Sequence, residues 1–130
     1  MKILNYNNFK KGKLYVIAEI GHNHQGSVET AKKLILRAKE SGASAVKFQK
    51  RSNKNLYTKE FFDKPYDHPN SFAKTYGLHR EYLELNFRQY KELQRYAKKL
   101  DIIFFATPFD FESVDFLEKL QVPCYKIASG

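Results

Sequence analysis

Short apolar runs alternate along this chain with longer stretches in which apolar residues recur at helical spacing. The runs at 14–18, 43–48, 102–106 and 124–128 are predicted β-strands, and helices are predicted between them. Strands that are apolar on both faces and alternate with helices are typical of a parallel sheet covered by helices. An open doubly wound sheet and a barrel both satisfy this pattern.

Capping residues mark the ends of the predicted helices. Ser27 is a predicted N-cap of the first helix, and Gly42 lies where a glycine commonly follows a helix C-terminus. Asn86 and Gln89 have the spacing of a capping box for the second covering helix, and Asp110 is a predicted N-cap of the third. The third helix is expected to face the core with Val114, Leu117 and Leu120.

The segment 50–85 interrupts this simple alternation. It contains Pro65, Pro69, Gly77 and several aromatic residues, with only patchy periodicity. A long excursion after a strand is commonly functional, for example as a lid over a site. The alternative is an ordered surface segment that is packed by its own Phe and Tyr side chains.

Composition and charge narrow the class of protein. The hydrophobic fraction of 42% and the charged fraction of 28% fit a soluble globular protein. A formal net charge of +9 indicates an anionic partner: nucleic acid, an acidic membrane surface or a phosphorylated metabolite. The single cysteine, Cys124, fits a reducing compartment and is expected to be inert. No secretory signal or membrane-length apolar run is visible, so we expect a cytoplasmic location and no membrane partner.

Polar side chains lie at the predicted carboxyl ends of the strands, where parallel α/β folds bind their ligands. They are Glu19, Lys47, Gln49, Thr107, Lys126 and Ser129. Taken singly, Glu19 and Lys47 are explained by a structural ion pair, and Lys126 by a side chain that reaches the rim. Taken together, two lysines, a glutamate and two hydroxyls at one edge predict a site for a small anion.

His22 and His24 lie two positions apart in the turn after the first strand, which suggests a metal site. An extended chain would point them in different directions, and no third ligand lies nearby in sequence. We therefore favour a turn histidine that hydrogen-bonds backbone or substrate, and assign no metal ligand. Gly21 and Gly26 flank the turn without the spacing of a dinucleotide-binding loop.

Five motifs, in the same order along nearly the whole chain, resemble those of the sialic acid synthases. The segment 17–26 (IAEIGHNHQG) resembles their opening AEIGxNHxG signature, and 46–50 (VKFQK) resembles their second-strand KFQ element. The stretch 74–85 and the segments 106–110 (ATPFD) and 125–130 (YKIASG) are similar to later motifs. The resemblance implies an α/β fold: the N-terminal half of a TIM (β/α)8 barrel, with about four parallel strands, three covering helices and a long excursion after the second strand.

The resemblance also implies a reaction, a transferase that condenses phosphoenolpyruvate with N-acetylmannosamine, its 6-phosphate or a related sugar to give a nonulosonic acid and phosphate. Carried over by motif, the catalytic residues are Glu19, Lys47 and Lys126, and the substrate-binding residues are Gln49, Thr107, Ser129, Tyr76 and Asn70. The family implies a divalent metal, Mn²⁺ or Mg²⁺, whose ligands come from later strands that this chain lacks. It also implies a homodimer.

The later strands and the C-terminal antifreeze-like domain of the family are absent, so residues 1–130 are expected to form one partial domain. Half a barrel leaves unpaired edges, and we expect little or no catalysis from these residues alone. Two alternatives stay open. One is a class I aldolase in which Lys47 or Lys126 forms an imine. The other is a basic nucleic-acid-binding module, which the net charge alone supports and which requires basic residues clustered on one face.

Overall fold

A single parallel sheet organises the protein, for which the computed structural model describes residues 14–129. Within that range the strands, in sheet order, are β1 (Ile17–Gly21), β2 (Ala45–Lys50) and β3 (Ile103–Pro108). The covering helices are α1 (Val28–Glu40), α5 (Phe87–Lys99) and α6 (Phe111–Leu120), and three shorter helices lie after β2: α2 (Asn53–Leu56), α3 (Lys59–Phe62) and α4 (Tyr76–Leu83). Neighbouring strands are joined through helices, as predicted.

The predicted caps of the covering helices are confirmed. The Ser27 side chain accepts a hydrogen bond from the Thr30 amide at 3.2 Å, and Gly42 follows α1 with a positive φ of 84°. Asn86 and Gln89 form the reciprocal capping box of α5. The two carboxylate oxygens of Asp110 accept from the amides of residues 113 and 52, each at 2.7 Å, so this cap also ties α6 to the end of β2.

The two faces of the sheet have different environments. Val46 and Phe48 of β2, with Phe104 and Ala106 of β3, face the helices and form the buried core. Because side chains alternate along a strand, Lys47 and Phe105 point to the other face. In the barrel that the family resemblance implies, that face is the interior, and its polar groups are gathered toward the carboxyl ends of the strands.

The strands begin and end later than the apolar runs predicted. β1 lies at 17–21 instead of 14–18, β2 at 45–50 instead of 43–48, and β3 at 103–108 instead of 102–106. Parallel ladder pairing continues through polar residues, for example between Gln49 and Thr107, because backbone groups make it. The apolar pattern indicates which side chains are buried and not which backbone groups pair, so it misplaces the strand ends.

The fourth predicted strand, 124–128, is wrong as a regular strand. This segment makes one parallel bridge, between Ala106 and Tyr125, and the Lys126 amide donates to the Ala106 carbonyl at 3.3 Å. It has a single strand neighbour among the described residues, and Ile127 is 79% exposed. The segment lies beside β3, where a fourth barrel strand belongs, without extended pairing. Val114 of α6, predicted to face the core, is also partly exposed.

The excursion is an ordered segment packed by its own aromatic side chains. Tyr76 contacts the rings of Tyr57, Phe61 and Tyr66 at centroid distances of 4.9–5.4 Å. Gly77 is required at the contact between α3 and α4, because a Cβ there would lie 2.1 Å from the Phe62 ring. The segment is therefore packed by its own Phe and Tyr side chains, which is the predicted alternative to a lid.

Candidate active site at the strand ends

Glu19, Lys47 and Thr107 form the centre of the strand-end site. Glu19 of β1 is the register partner of Lys47 of β2, and their carboxylate and ammonium groups form an ion pair. The Lys47 Nζ donates to Thr107 Oγ1 at 3.2 Å, which adds β3 to the same group. The Lys47 side chain is 13% exposed and that of Glu19 is 46% exposed, so solvent or a ligand reaches the pair from the Glu19 side.

Gln49 joins this group from the next inward position of β2. Its Nε2 donates to Glu19 Oε1 at 3.4 Å. The close approach depends on Gly21, whose φ is +54° and where a Cβ would lie 3.2 Å from Glu19 Oε1. The ladder between β1 and β2 is irregular between Glu19 and Gly21. Gly21 therefore lets the chain turn immediately beside the Glu19 carboxylate.

A cavity of about 420 Å³ opens on the inner face of the sheet. Glu19, Lys47 and Lys126 line it, together with apolar residues of β1 and β3. Lys126 is exposed, and its ammonium donates to the backbone carbonyl of Ile127. Ser129 is also exposed. The structure thus brings both predicted lysines to one cavity, where two ammonium groups can bind a small dianion.

The two residues predicted to approach from the excursion lie apart from this group. Tyr76 is half-buried among aromatic rings. Asn70 is exposed, and its backbone N–H donates to His68 Nδ1 at 3.1 Å. Within residues 14–129, no hydrogen bond or ion pair joins either side chain to Glu19, Lys47 or Lys126. Their predicted contact with a sugar stays a prediction.

His24 has the structural role that was favoured for a turn histidine. It is 1% exposed, stacks on Phe48, and its Nδ1 accepts from the Gly26 amide at 3.1 Å. Burial, with a smaller contribution from neighbouring His22, lowers the pKa of His24 to about 4. The imidazole is therefore neutral near neutral pH.

A second polar cluster, which the sequence did not predict, surrounds His22. Its Nε2 lies 3.1 Å from Glu84 Oε1, and Lys50 Nζ donates to Glu84 Oε2 at 2.6 Å. Burial raises the pKa of Glu84, but the His22 hydrogen bond and the Lys50 charge outweigh it and hold that pKa below its usual range. Two sequence signals bear on this cluster: the stretch 74–85, which contains Arg80 and Glu84, resembles a family motif, and Glu84 interrupts the apolar residues Leu83 and Leu85.

Two guanidinium groups complete the cluster from the other side of the His22 ring. Arg51 Nη1 and Arg80 Nη2 lie 3.4 Å and 3.0 Å from His22 Nδ1. Arg51 also donates to Gln49 Oε1 at 2.8 Å and stacks 3.6 Å from the centre of the Phe109 ring. Through Arg51 the cluster is in direct contact with the strand-end site.

Residues 14–129 also bear on the predictions about a metal ion, a membrane and nucleic acid. Between residues 14 and 129, the structure has no group of three His, Cys, Asp or Glu side chains that could hold a metal ion. None of the helices it describes has the length and hydropathy needed to cross a membrane. Basic residues outnumber acids on both α1 and α5, and among them Lys32 contacts Glu29 and Glu92. The nucleic-acid alternative therefore stays a prediction.

Comparison with known proteins gives consistent matches. The model of the NeuB family matches residues 34–130. The N-acetylneuraminate-9-phosphate synthase of Drosophila melanogaster is 47% identical over 128 residues, which are 95% of this chain and 34% of that protein. The N,N'-diacetyllegionaminic acid synthase of Campylobacter jejuni is 43% identical over 119 residues, 91% of this chain and 36% of that protein.

The fold matches as well. A crystal structure of N-acetylneuraminic acid (sialic acid) synthetase from Leptospira borgpetersenii superposes with a TM-score of 0.68 at 27% identity, over 88% of this chain and 35% of that one. The chain spans about a third of the length of the curated relatives it matches. The predicted fold class is confirmed: this parallel α/β unit is part of a barrel.

Proposed function

Because this chain belongs to the NeuB family, we propose that it forms the phosphoenolpyruvate-binding part of a nonulosonic acid synthase. Its relatives are synthases of sialic acid and of a related nonulosonic acid. The proposed reaction condenses phosphoenolpyruvate with a 2-acetamido sugar of the N-acetylmannosamine type. The observation that supports it most directly is the Glu19–Lys47–Thr107 group, with Lys126 on the wall of the same cavity.

The charge of the site suits phosphoenolpyruvate. This substrate has a phosphate and a carboxylate on adjacent parts of a three-carbon frame, so two separate cationic groups are needed to bind it. Lys47 and Lys126, which line the cavity, supply them, and the family resemblance adds the hydroxyls of Thr107 and Ser129 as donors. Lys47 is held on β2 between Glu19 and Thr107, and a donor fixed in this way needs little reorganisation when charge develops beside it.

The proposed chemistry has two bond-forming steps. The methylene carbon of phosphoenolpyruvate attacks the open-chain sugar aldehyde, which forms the new carbon–carbon bond, turns the aldehyde oxygen into an alkoxide that takes up a proton, and leaves a cation at the carbon that bears the phosphate. Water attacks that carbon and loses a proton. The resulting hydroxyl then becomes the ketone carbonyl, giving its proton to phosphate, which leaves with its bridging oxygen. Glu19 is the carboxylate placed beside Lys47 that can take the proton from water.

The acceptor follows from carbon counting. Phosphoenolpyruvate adds three carbons ahead of the aldehyde carbon, so the sixth carbon of the sugar becomes the ninth of the product. A synthase of a 9-phosphate, such as the Drosophila relative by its name, therefore takes a 6-phosphorylated sugar. We propose the same acceptor class for this protein, with the unphosphorylated sugar as the alternative.

A divalent metal fits this proposal only with ligands from outside residues 14–129, since these residues offer no three-ligand group. Such a metal polarises the sugar aldehyde when it is bound. For the same reason we expect a protein consisting of the 130 residues alone to release no phosphate from the two substrates.

The test uses the complete gene product that contains these residues. Incubated with phosphoenolpyruvate labelled with heavy oxygen at the bridging position and with a sugar acceptor, it should release labelled phosphate and a nonulosonic acid detected by mass spectrometry. Lys47→Met should abolish turnover or strongly raise the KM for phosphoenolpyruvate. Lys98→Met, an exposed lysine of α5, is the matched control and should not.

Two outcomes would overturn the proposal. Unlabelled phosphate would mean that the bond between phosphorus and oxygen breaks, which is a different reaction. A covalent adduct on Lys47 or Lys126 after borohydride treatment with pyruvate would establish the Schiff-base aldolase instead.

A further inference from the structure

The cluster around His22 contains more positive charge and more hydrogen-bond donors than its own residues satisfy. Lys50 is paired with Glu84, but no carboxylate of residues 14–129 lies within ion-pair distance of Arg51 or Arg80. With His22 neutral, three cationic side chains face one carboxylate. The cluster therefore has an excess of two positive charges.

The donor count leads to the same result. A neutral imidazole has one ring lone pair, and Nε2 lies against the Glu84 carboxylate, so Nδ1 is the acceptor. Both guanidinium groups lie within 3.4 Å of that single lone pair. In addition, Arg80 Nε is buried and has no hydrogen-bond partner in the described part of the chain. Unpaired buried donors are costly, so this surplus requires an acceptor from outside.

Burial raises the free-energy cost of leaving this positive charge unpaired. Burial, followed by the nearby Arg80 charge, lowers the pKa of Arg51, and burial also lowers the pKa of His22. Glu84 and His22 have side chains that are only 10% and 9% exposed. A cleft of about 560 Å³ borders the cluster, with Lys50 and Arg51 in its wall, so an anion can reach the Arg51 guanidinium from solvent.

We propose that Arg51 and Arg80 bind the phosphate group of a sugar-phosphate acceptor. Arginine is suited to this ligand because its planar fork donates two parallel hydrogen bonds to phosphate oxygens. A dianionic phosphate matches the excess of two positive charges. Arg51 donates to Gln49, the residue that the family resemblance assigns to the sugar, so a phosphate bound here would lie beside the position proposed for the sugar.

This inference rests on the proposed function and deepens it by fixing the acceptor class. The test measures steady-state kinetics of the complete gene product with N-acetylmannosamine and with its 6-phosphate. Arg80→Gln should raise the KM for the phosphorylated sugar by about tenfold to a hundredfold more than that for the unphosphorylated sugar, the effect of one lost hydrogen bond to a charged group. Arg95→Gln, an exposed arginine of α5, should change neither.

Arg80→Lys provides a second variant if Arg80→Gln folds poorly. It keeps the charge but loses the fork, so its preference for the phosphorylated sugar should lie between those of the wild type and Arg80→Gln. If each of these two variants raised the KM for the phosphorylated and the unphosphorylated sugar by the same factor, the proposal would be overturned. The synthase reaction would still stand.

A binding measurement separates failure of the site from failure of the proposed reaction. Inorganic phosphate should shift the His22 ring signals in an NMR titration of the wild-type protein and not of Arg80→Gln. If no nonulosonic acid forms but phosphate still binds there, the synthase function fails and the anion site survives. If phosphate leaves the His22 signals unchanged, the site itself is refuted.

Discussion

His24 should make the stability of this protein depend on pH in a range where exposed histidines do not. Its pKa is lowered from 6.5 to about 4, chiefly by burial. Protonation would place a charge on a side chain that is 1% exposed and would remove the acceptor of the Gly26 amide. The folded state therefore resists a proton that the unfolded chain accepts.

The sign and size of this pH dependence follow from the linkage between proton binding and folding. Because the unfolded chain binds the proton first, the contribution of His24 is intact above about pH 6.5 and is lost progressively as the pH falls toward about 4. At about pH 5, roughly 1.5 units below the unfolded value, the loss amounts to about 2 kcal/mol of unfolding free energy. Glu84, whose lowered pKa starts from 4.5, acts mainly below this window.

Urea unfolding of the wild type and of His24→Asn at about pH 7 and about pH 5 measures this loss. Asparagine offers an oxygen near the position of Nδ1 and cannot titrate, so the variant should lose about 2 kcal/mol less than the wild type between the two values. His68→Asn, at an exposed histidine that also accepts a backbone amide, is the control and should follow the wild type. Parallel pH dependence of the wild type and His24→Asn would refute the reasoning.

Three further predictions concern the packing that holds the site. Gly26→Ala should lower the free energy of unfolding by more than about 2 kcal/mol, because the φ of Gly26 is +75° and a Cβ would lie 2.4 Å from a backbone carbonyl of α4. Gly42→Ala is the control and should cost only about 1 kcal/mol, because Gly42 has φ +84° but open space around it. Equal melting temperatures of the two variants would contradict this prediction. Asp110→Ala should lose about 2–4 kcal/mol in urea unfolding, because two backbone amides lose their acceptor, and Asp110→Asn should lose less. Tyr90→Phe should cost about 1–2 kcal/mol and lower the hydrogen-exchange protection at the end of β2, because the buried hydroxyl donates to the Gln49 carbonyl at 2.8 Å; unchanged protection would argue against that bond.

The covering helices were predictable because their signals are local. Ser27, Asn86 with Gln89, and Asp110 cap their helices by bonding amides within three residues, so the sequence alone places each start. The Glu19–Lys47 pair was also predictable, because parallel order places successive strand ends side by side and each residue interrupts an apolar run. Family motifs then assigned chemistry to positions that the pattern had already selected.

The excursion and the cluster around His22 could not be placed in this way. The aromatic contacts of Tyr76 join short helices whose periodicity is too brief to detect, and Arg80 reaches His22 across 58 positions of sequence. Such contacts depend on how α4 folds back over the strand ends, a long-range outcome that no local pattern encodes. Likewise, the segment 124–128 has the apolar sequence of a strand but lacks the pairing of one.

The sequence by itself determined the parallel α/β architecture, the caps of its covering helices and the row of polar side chains at the strand ends, because each depends on spacing along the chain. Only the tertiary structure decided that Arg51 and Arg80 converge on one side of His22 while Glu84 and Lys50 pair on the other. The reason is physical: a surplus of charge arises from which side chains share one buried space, and that sharing is set by packing between distant segments.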